Sequence, residues 1–296
     1  MSIPFYFVDV FADEPLNGNP LAVVPDADEL SEATLKQIAA ELNQAETTFL
    51  LRPSKSGADW RLRSLTALGH EVFGAGHNSL GAWWWLAASG KLNLNEGENQ
   101  FIQEIGPDLL PVSVRVANGT LESIVLTQSP PEFGKIEHDI DSLASALGLD
   151  PQDIHPSLPA QVVSTGAGHL LAPVTSRAAV SRTIPDTQRL AKLLHSIGGE
   201  GCYVYALDPV DPTSHAHARF FNPTMGIVED AATGTAAGPL AVQLVKHGVV
   251  NESSSIRIEQ GYDMKRPSVL TIEVKGPSVR LAGRAVQSIA GTIRIA

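Results

Sequence analysis

Ala232-Thr-Gly-Thr-Ala-Ala-Gly-Pro-Leu-Ala-Val-Gln-Leu-Val-Lys-His-Gly248 lies without a gap over an earlier segment of the same chain, Gly74-Ala-Gly-His-Asn-Ser-Leu-Gly-Ala-Trp-Trp-Trp-Leu-Ala-Ala-Ser-Gly90. Gly76 meets Gly234, Leu86 meets Leu244 and Gly90 meets Gly248. These identities are few, but the elements around the two segments follow the same order, which points to an internal duplication. Each segment reads as a glycine loop that opens a helix. In the first, Leu80, Trp83, Trp84 and Ala87 share a face and Gly90 supplies the stop.

Working outward, runs rich in β-branched and aromatic residues predict strands at Pro4 to Phe11, Leu21 to Val24, Thr47 to Leu51 and Trp60 to Leu65. Between them Leu35, Ile38, Ala39 and Leu42 repeat at helical spacing behind Ser31, a fitting N-cap. Consecutive prolines cannot join a central ladder, so Thr127-Gln-Ser-Pro-Pro-Glu-Phe-Gly134 reads as a linker. Beyond it come strands near Val162 and Leu170, a helix carrying Leu190, Leu193, Leu194 and Ile197, and strands at Cys202 to Leu207 and Ala216 to Phe221. The tail from Ser255 alternates apolar and polar residues like closing strands. The expected organisation is α+β, with an N-terminal lobe over 1–128, completed by a last strand at about 285–296, and a C-terminal lobe over 129–284. Two such lobes would leave a groove between them.

Composition narrows the function. At 296 residues, 43% of them hydrophobic and 18% charged, the chain can bury a core in each of two domains. Its 21 Lys and Arg against 32 Asp and Glu give a net charge of -11, so no positive field draws in nucleic acid or an anionic membrane. The N-terminus lacks the basic segment and long apolar core of a signal peptide, and no apolar run is long enough to span a bilayer. With one cysteine, Cys202, a cytoplasmic setting is expected.

Exposed N–H groups at a helix start bind anions, so Gly76-His77 and Gly234-Thr235 could hold a carboxylate. The alternative is that small residues merely let helix and strand pack closely. His77 could exchange hydrogen bonds with a ligand or act as a simple cap. Asp230 faces a similar choice, between an Asx-type cap and a substrate ligand. Glu46 lies between the first helix and the strand from Thr47; burial there would tune it for taking and returning a proton, whereas an isolated glutamate is ordinarily a solvated loop residue. His215 and His217 alternate along one predicted strand, where they read as surface or groove polar residues, and no further ligand completes a metal set. Trp83, Trp84 and Trp85 cannot share one helix face, which leaves at least one ring off the core for a subunit contact. Neither glycine loop carries a phosphate-binding or dinucleotide fingerprint, so no cofactor is signalled.

Four blocks, Val8-Asp-Val-Phe-Ala-Asp13 with Gly18-Asn-Pro-Leu-Ala-Val-Val24, Leu42-Asn-Gln-Ala-Glu-Thr-Thr-Phe49, Glu71-Val-Phe-Gly-Ala-Gly-His77, and Glu229-Asp-Ala-Ala-Thr-Gly-Thr-Ala-Ala-Gly-Pro-Leu240, stand in the order found in the PhzF-like isomerases, and the chain resembles that family over nearly its whole length. The resemblance implies a fold like that of diaminopimelate epimerase, with two pseudo-symmetric lobes, each a curved sheet around a central helix. It implies Glu46 as acid/base; Gly76, His77, Asp230, Gly234 and Thr235 as substrate-binding residues; a small carboxylated substrate; no metal or organic cofactor; and a homodimer. Related two-thiol racemases carry a cysteine at each glycine-led helix start. Neither position has one here, so a single carboxyl moving a proton on one face is expected. Asn78, Ser79, Ala231 and Thr235 depart from the usual family residues, which puts substrate identity in question more than chemistry. The competing expectation is a non-catalytic small-molecule binding protein of the same fold.

Overall fold

The computed structural model describes residues 2–252 and 255–295. The chain divides into two compact units, one formed by Met1–Thr127 with Ala282–Ala296, the other by Gln128–Leu281.

In the first unit Ser2–Val10 pairs antiparallel with both Ala285–Arg294 and Asn19–Val24. Asn19–Val24 runs parallel to Thr47–Leu51, which pairs antiparallel with Trp60–Leu65. Trp60–Leu65 carries the short strand Glu71–Val72 on one stretch and runs parallel to Gly97–Ile105 on another. Asp108–Ala117 and Thr120–Gln128 continue antiparallel. Each parallel step is spanned by a helix, as parallel strands require. Glu32–Leu42 makes the outer crossover, with Ser31 accepting from Thr34 N at 3.2 Å. Its buried Leu35, Ile38 and Ala39 close a core with Val24, Phe49, Leu51 and Leu65. His77–Ala88 makes the second crossover and is buried almost all round, as a central helix must be.

The second unit repeats this plan. Glu132–Glu137, Ala160–Ser164 and Gly168–Pro173 pair antiparallel in turn. Gly168–Pro173 runs parallel to Gly201–Ala206, which pairs antiparallel with Ala216–Asn222. Ala216–Asn222 carries the short strand Ile227–Asp230 and runs parallel to Ser255–Gln260, followed antiparallel by Ser268–Lys275. Thr187–Ile197 is an outer helix and Gly234–Lys246 the buried central one. The fold is α+β, with a sheet around a central helix in each unit. The two repeats differ at their first strand: Glu132–Glu137 precedes its neighbour in sequence, whereas the matching strand of the first unit, Ala285–Arg294, arrives from the far end of the chain.

Two expectations are corrected. The break between Thr120–Gln128 and Glu132–Glu137 covers only 129–131, so Phe133 and Gly134 are strand rather than linker. His215 precedes the strand Ala216–Asn222, and His217 is buried with its Nδ1 3.1 Å from Glu259 Oε2; the carboxylate partner lies 42 residues on, where local sequence gives no hint of it. The expectation that at least one of the three tryptophan rings lies off the core holds: Trp83 and Trp85 are buried, Trp83 donating from Nε1 to Gln103 and Trp85 meeting Tyr6 at 4.9 Å with the rings tilted by 41°, while Trp84 is half-exposed.

Candidate active site

In the first unit lie Glu46, Gly76 and His77. Helix Glu32–Leu42 ends in a left-handed Asn43 (φ 48°), and the short turn after it delivers Glu46 half-buried immediately before strand Thr47–Leu51. Gly76 is the N-cap of the central helix and makes no side-chain cap, while His77 is its first residue. Asn78 organises this loop. Its Oδ1 accepts from Gly76 N at 2.8 Å, and its Nδ2 donates to Gly74 O at 2.9 Å and to Ser64 Oγ at 3.1 Å. Ser64 Oγ in turn lies 2.8 Å from Thr48 Oγ1. One hydrogen-bonded chain thus joins the strand just after Glu46 to the helix start that carries His77. His77 Nε2, Thr47 Oγ1 and Ser79 Oγ are buried without a hydrogen-bond partner, unusual for polar atoms away from water.

In the second unit lie Asp230, Gly234 and Thr235. Asp230 ends strand Ile227–Asp230, and its Oδ2 accepts from Thr233 Oγ1 at 2.5 Å. Gln260, fully buried, holds the turn from three sides: its Nε2 donates to Asp230 O at 2.7 Å and to Thr233 Oγ1 at 3.0 Å, and its Oε1 accepts from Thr233 N at 3.0 Å. Tyr203 also donates to that Oε1, at 2.9 Å. Burial first, and then the negative charge of Asp230, push the Tyr203 phenol well above its ordinary range, so it stays a neutral donor. Gly234 is the first residue of the central helix, and Thr235 follows it, half-buried, with Oγ1 3.2 Å from His169 Nε2. Gln128 donates to Gly234 O at 2.8 Å. It reaches there because Gly238 has no Cβ, which would fall 1.8 Å from Gln128 Oε1.

The two glycine loops are anchored alike. Arg63 grips Glu71 with Nε at 2.9 Å and Nη2 at 2.7 Å, and Arg219 grips Glu229 with the same two nitrogens at 2.8 Å each. Glu71 and Glu229 both stand five residues before the helix glycine. On the ladders, Arg63 lies opposite Phe49 and Arg219 opposite Val204. Counting three residues back from those partners places Gly201 in the second repeat at the register of Glu46 in the first. A Cβ at Gly201 would fall 2.5 Å from Phe220 Cζ, so the space for an acid/base there is filled. His77 and Thr235 likewise share a register. The duplication has kept the loop anchors and left a carboxyl at the Glu46 register in one repeat only.

Cys202 sits fully buried on strand Gly201–Ala206, and burial pushes its thiol up, away from the thiolate that a racemase base requires. Among the described residues no group of three or more His, Cys, Asp or Glu is placed to hold a metal ion, and no helix is long and apolar enough to cross a membrane. Asn78, Gln260 and the two arginines escape a sequence reading because a lone polar residue carries no sign of which partner the fold brings to it, even where Arg63 and Glu71 are only 8 residues apart and Arg219 and Glu229 only 10; the one available signal is the equal spacing of Glu71 and Glu229 from their glycines.

Strands of the same order in each unit, wrapped on a buried helix that opens at a glycine, form a fold met in known structures. A hydroxyproline epimerase of Agrobacterium vitis matches with a TM-score of 0.63 at 15% identity, covering 99% of this chain and 91% of that one, a likeness that speaks for the fold alone. The crystal structure of a Bacillus anthracis phenazine biosynthesis protein of the PhzF family matches with a TM-score of 0.90 at 27% identity, covering 100% of both chains. A trans-2,3-dihydro-3-hydroxyanthranilate isomerase of Pseudomonas chlororaphis is 32% identical over 294 residues, 98% of either chain. The family model for phenazine biosynthesis-like proteins spans residues 8–291, and the chain belongs to that family. Relatives about 32% identical over nearly its full length are isomerases, and the chain is an enzyme of that class.

Proposed function

We propose that this isomerase moves a proton between two carbons of a small carboxylated metabolite, with Glu46 as the only acid/base. The Glu46 carboxylate takes a proton from carbon, the double bonds shift, and the same carboxyl returns the proton at a second carbon on the same face. Charge that develops on the substrate carboxylate is met by the backbone N–H groups at Gly76–His77 and Gly234–Thr235 and by the Thr235 hydroxyl. His77 and Asp230 orient the ring substituents. No step is routed through a metal or organic cofactor. A cyclic, unsaturated hydroxy acid of the kind named for the Pseudomonas chlororaphis relative, trans-2,3-dihydro-3-hydroxyanthranilate, is the first substrate to try.

The observation that carries this reading is the broken symmetry of the repeat: Glu46 in one unit, Gly201 at the same register in the other, and a buried, unreactive Cys202 beside it. A two-base racemase would need a second proton donor on the opposite face. The test compares wild type with Glu46→Gln on trans-2,3-dihydro-3-hydroxyanthranilate. Glu46→Gln should lower kcat by about 10²–10⁴-fold while Kd for 3-hydroxyanthranilate, the aromatic and non-isomerisable counterpart, stays within about threefold. Retained turnover would remove Glu46 from the chemistry; binding of both compounds without turnover in wild type would favour a non-catalytic binding protein.

A further inference from the structure

His169 belongs to none of the motifs that suggest chemistry, yet it is the residue that touches the Thr235 hydroxyl. It lies on strand Gly168–Pro173, 3% exposed, with Nε2 3.2 Å from Thr235 Oγ1. Its other ring nitrogen, Nδ1, is buried and without a hydrogen-bond partner. The surroundings explain why. Phe220 meets the imidazole edge-on at 4.9 Å, and Gly201 presents a bare Cα, where a Cβ would fall 3.2 Å from Nδ1. Burial pushes the imidazole down to about 4, so near pH 7 the ring carries one proton.

Where that proton sits determines what Thr235 offers a ligand. With the proton on Nδ1, a buried N–H would face apolar carbon with no acceptor, and Nε2 would consume the threonine O–H as its own donor. Thr235 would then turn only lone pairs outward and repel a carboxylate. With the proton on Nε2, the imidazole donates to a lone pair of Thr235 Oγ1, Nδ1 keeps a lone pair against Gly201, and the threonine O–H is free to donate. A buried orphan N–H is the rarer and costlier arrangement.

We propose that His169 is a positioning residue: seated against Gly201 and Phe220, it donates Nε2–H to Thr235 Oγ1 and so reserves the Thr235 hydroxyl proton for a carboxylate oxygen of the substrate. This rests on the reading that Thr235 contacts substrate. It deepens that reading by assigning the direction of the hydrogen bond and hence the class of group accepted there, an anionic or carbonyl acceptor rather than an amine or hydroxyl donor. The repeat shows why the device is confined to this unit: Gly201 leaves open the space in which the imidazole packs, at the register Glu46 occupies in the other repeat.

Long-range ¹H–¹⁵N correlation spectra of histidine-labelled wild-type protein at pH 7 report the tautomer directly, with the His169 signals identified by their loss in His169→Gln. A proton on Nε2 is expected; a proton on Nδ1, or a doubly protonated ring, overturns the proposal. In kinetics with trans-2,3-dihydro-3-hydroxyanthranilate, His169→Leu should raise KM about tenfold or more with a smaller change in kcat, and His169→Gln, whose amide N–H reaches to the place of Nε2, should restore KM to within about threefold of wild type. Equal losses in the two variants would mean packing alone and would overturn it. Thr235→Val separates the two layers: unchanged KM there removes Thr235 from the site and both readings with it, whereas a raised KM with no effect of His169→Leu removes only the role of His169.

Discussion

His169 also makes a statement about stability. Its folded-state imidazole is pushed down to about 4 by burial, whereas in the unfolded chain it titrates near 6.5. Between those values the unfolded state binds more protons than the folded one, so stability falls as pH falls through that window and is recovered above it. The full difference amounts to about 3 kcal/mol. Denaturant unfolding at pH 7 and pH 4.5 should show wild type losing about 2–3 kcal/mol more than His169→Gln over that interval; equal losses would mean that the ring is not held neutral. Residues of this kind mark where sequence reading stopped. Glu46, His77, Asp230 and Thr235 stand within recognisable blocks and could be named in advance. His169, Gln260 and Asn78 act through a partner that only the fold supplies, and a lone polar residue on a strand or helix carries no signal of what it will meet. Asn78, one of the departures from the usual family residues, ties the glycine loop to Ser64 through its amide.

At the scale of elements, the short strands Glu71–Val72 and Ile227–Asp230 owe their placement to arginines on the neighbouring strand. Arg63 and Arg219 each make a two-pronged pairing with little exposure, the geometry in which an arginine–carboxylate pair contributes most. Glu71→Gln and Glu229→Gln should each lower unfolding stability by about 1–3 kcal/mol, read as a shift in urea midpoint, because each weakens the two-pronged pairing of a largely buried guanidinium, leaving Arg63 only Glu32 and Arg219 only the more distant Asp263 as a carboxylate partner. Midpoints equal to wild type would show that the pairs are incidental. A second duplicated device lies on the parallel ladders. Glu104 accepts from Ser54 N and Lys55 N at 2.7 and 3.0 Å, Glu259 from Val210 N and Asp211 N at 2.8 and 2.7 Å, each closing the loop before its strand. Burial alone would raise the Glu259 carboxyl, but the hydrogen bonds from His217 and the two backbone N–H groups prevail and hold it below its ordinary value. The matching register, Arg61 against Glu104 and His217 against Glu259, identifies the His217–Glu259 pair as a loop clamp rather than a second catalytic dyad. The strands and both central helices were legible because their periodicity is local; these clamps were not, since their members are 42 to 50 residues apart.

At the scale of the whole molecule, one plan is written twice and differs where chemistry is carried. The order of strands, the two crossover helices and the loop anchors recur, while the register of Glu46 falls on Gly201, that of His77 on Thr235 and that of Val72 on Asp230. The duplication could be suspected from the two aligned glycine segments, yet the return of Ala285–Arg294 to pair with Ser2–Val10 depends on contacts that span the length of the chain. An isomerase with one carboxyl must take and return the proton by the same group, and that claim has a direct readout. Wild type and Glu46→Gln would be incubated in deuterated water with trans-2,3-dihydro-3-hydroxyanthranilate and followed by NMR. Isomerisation by wild type, with deuterium entering at carbon only to the extent that the Glu46 proton exchanges with solvent between removal and return, and neither isomerisation nor exchange in the variant, is the predicted result; isomerisation or exchange that persists in Glu46→Gln would contradict a single-carboxyl mechanism.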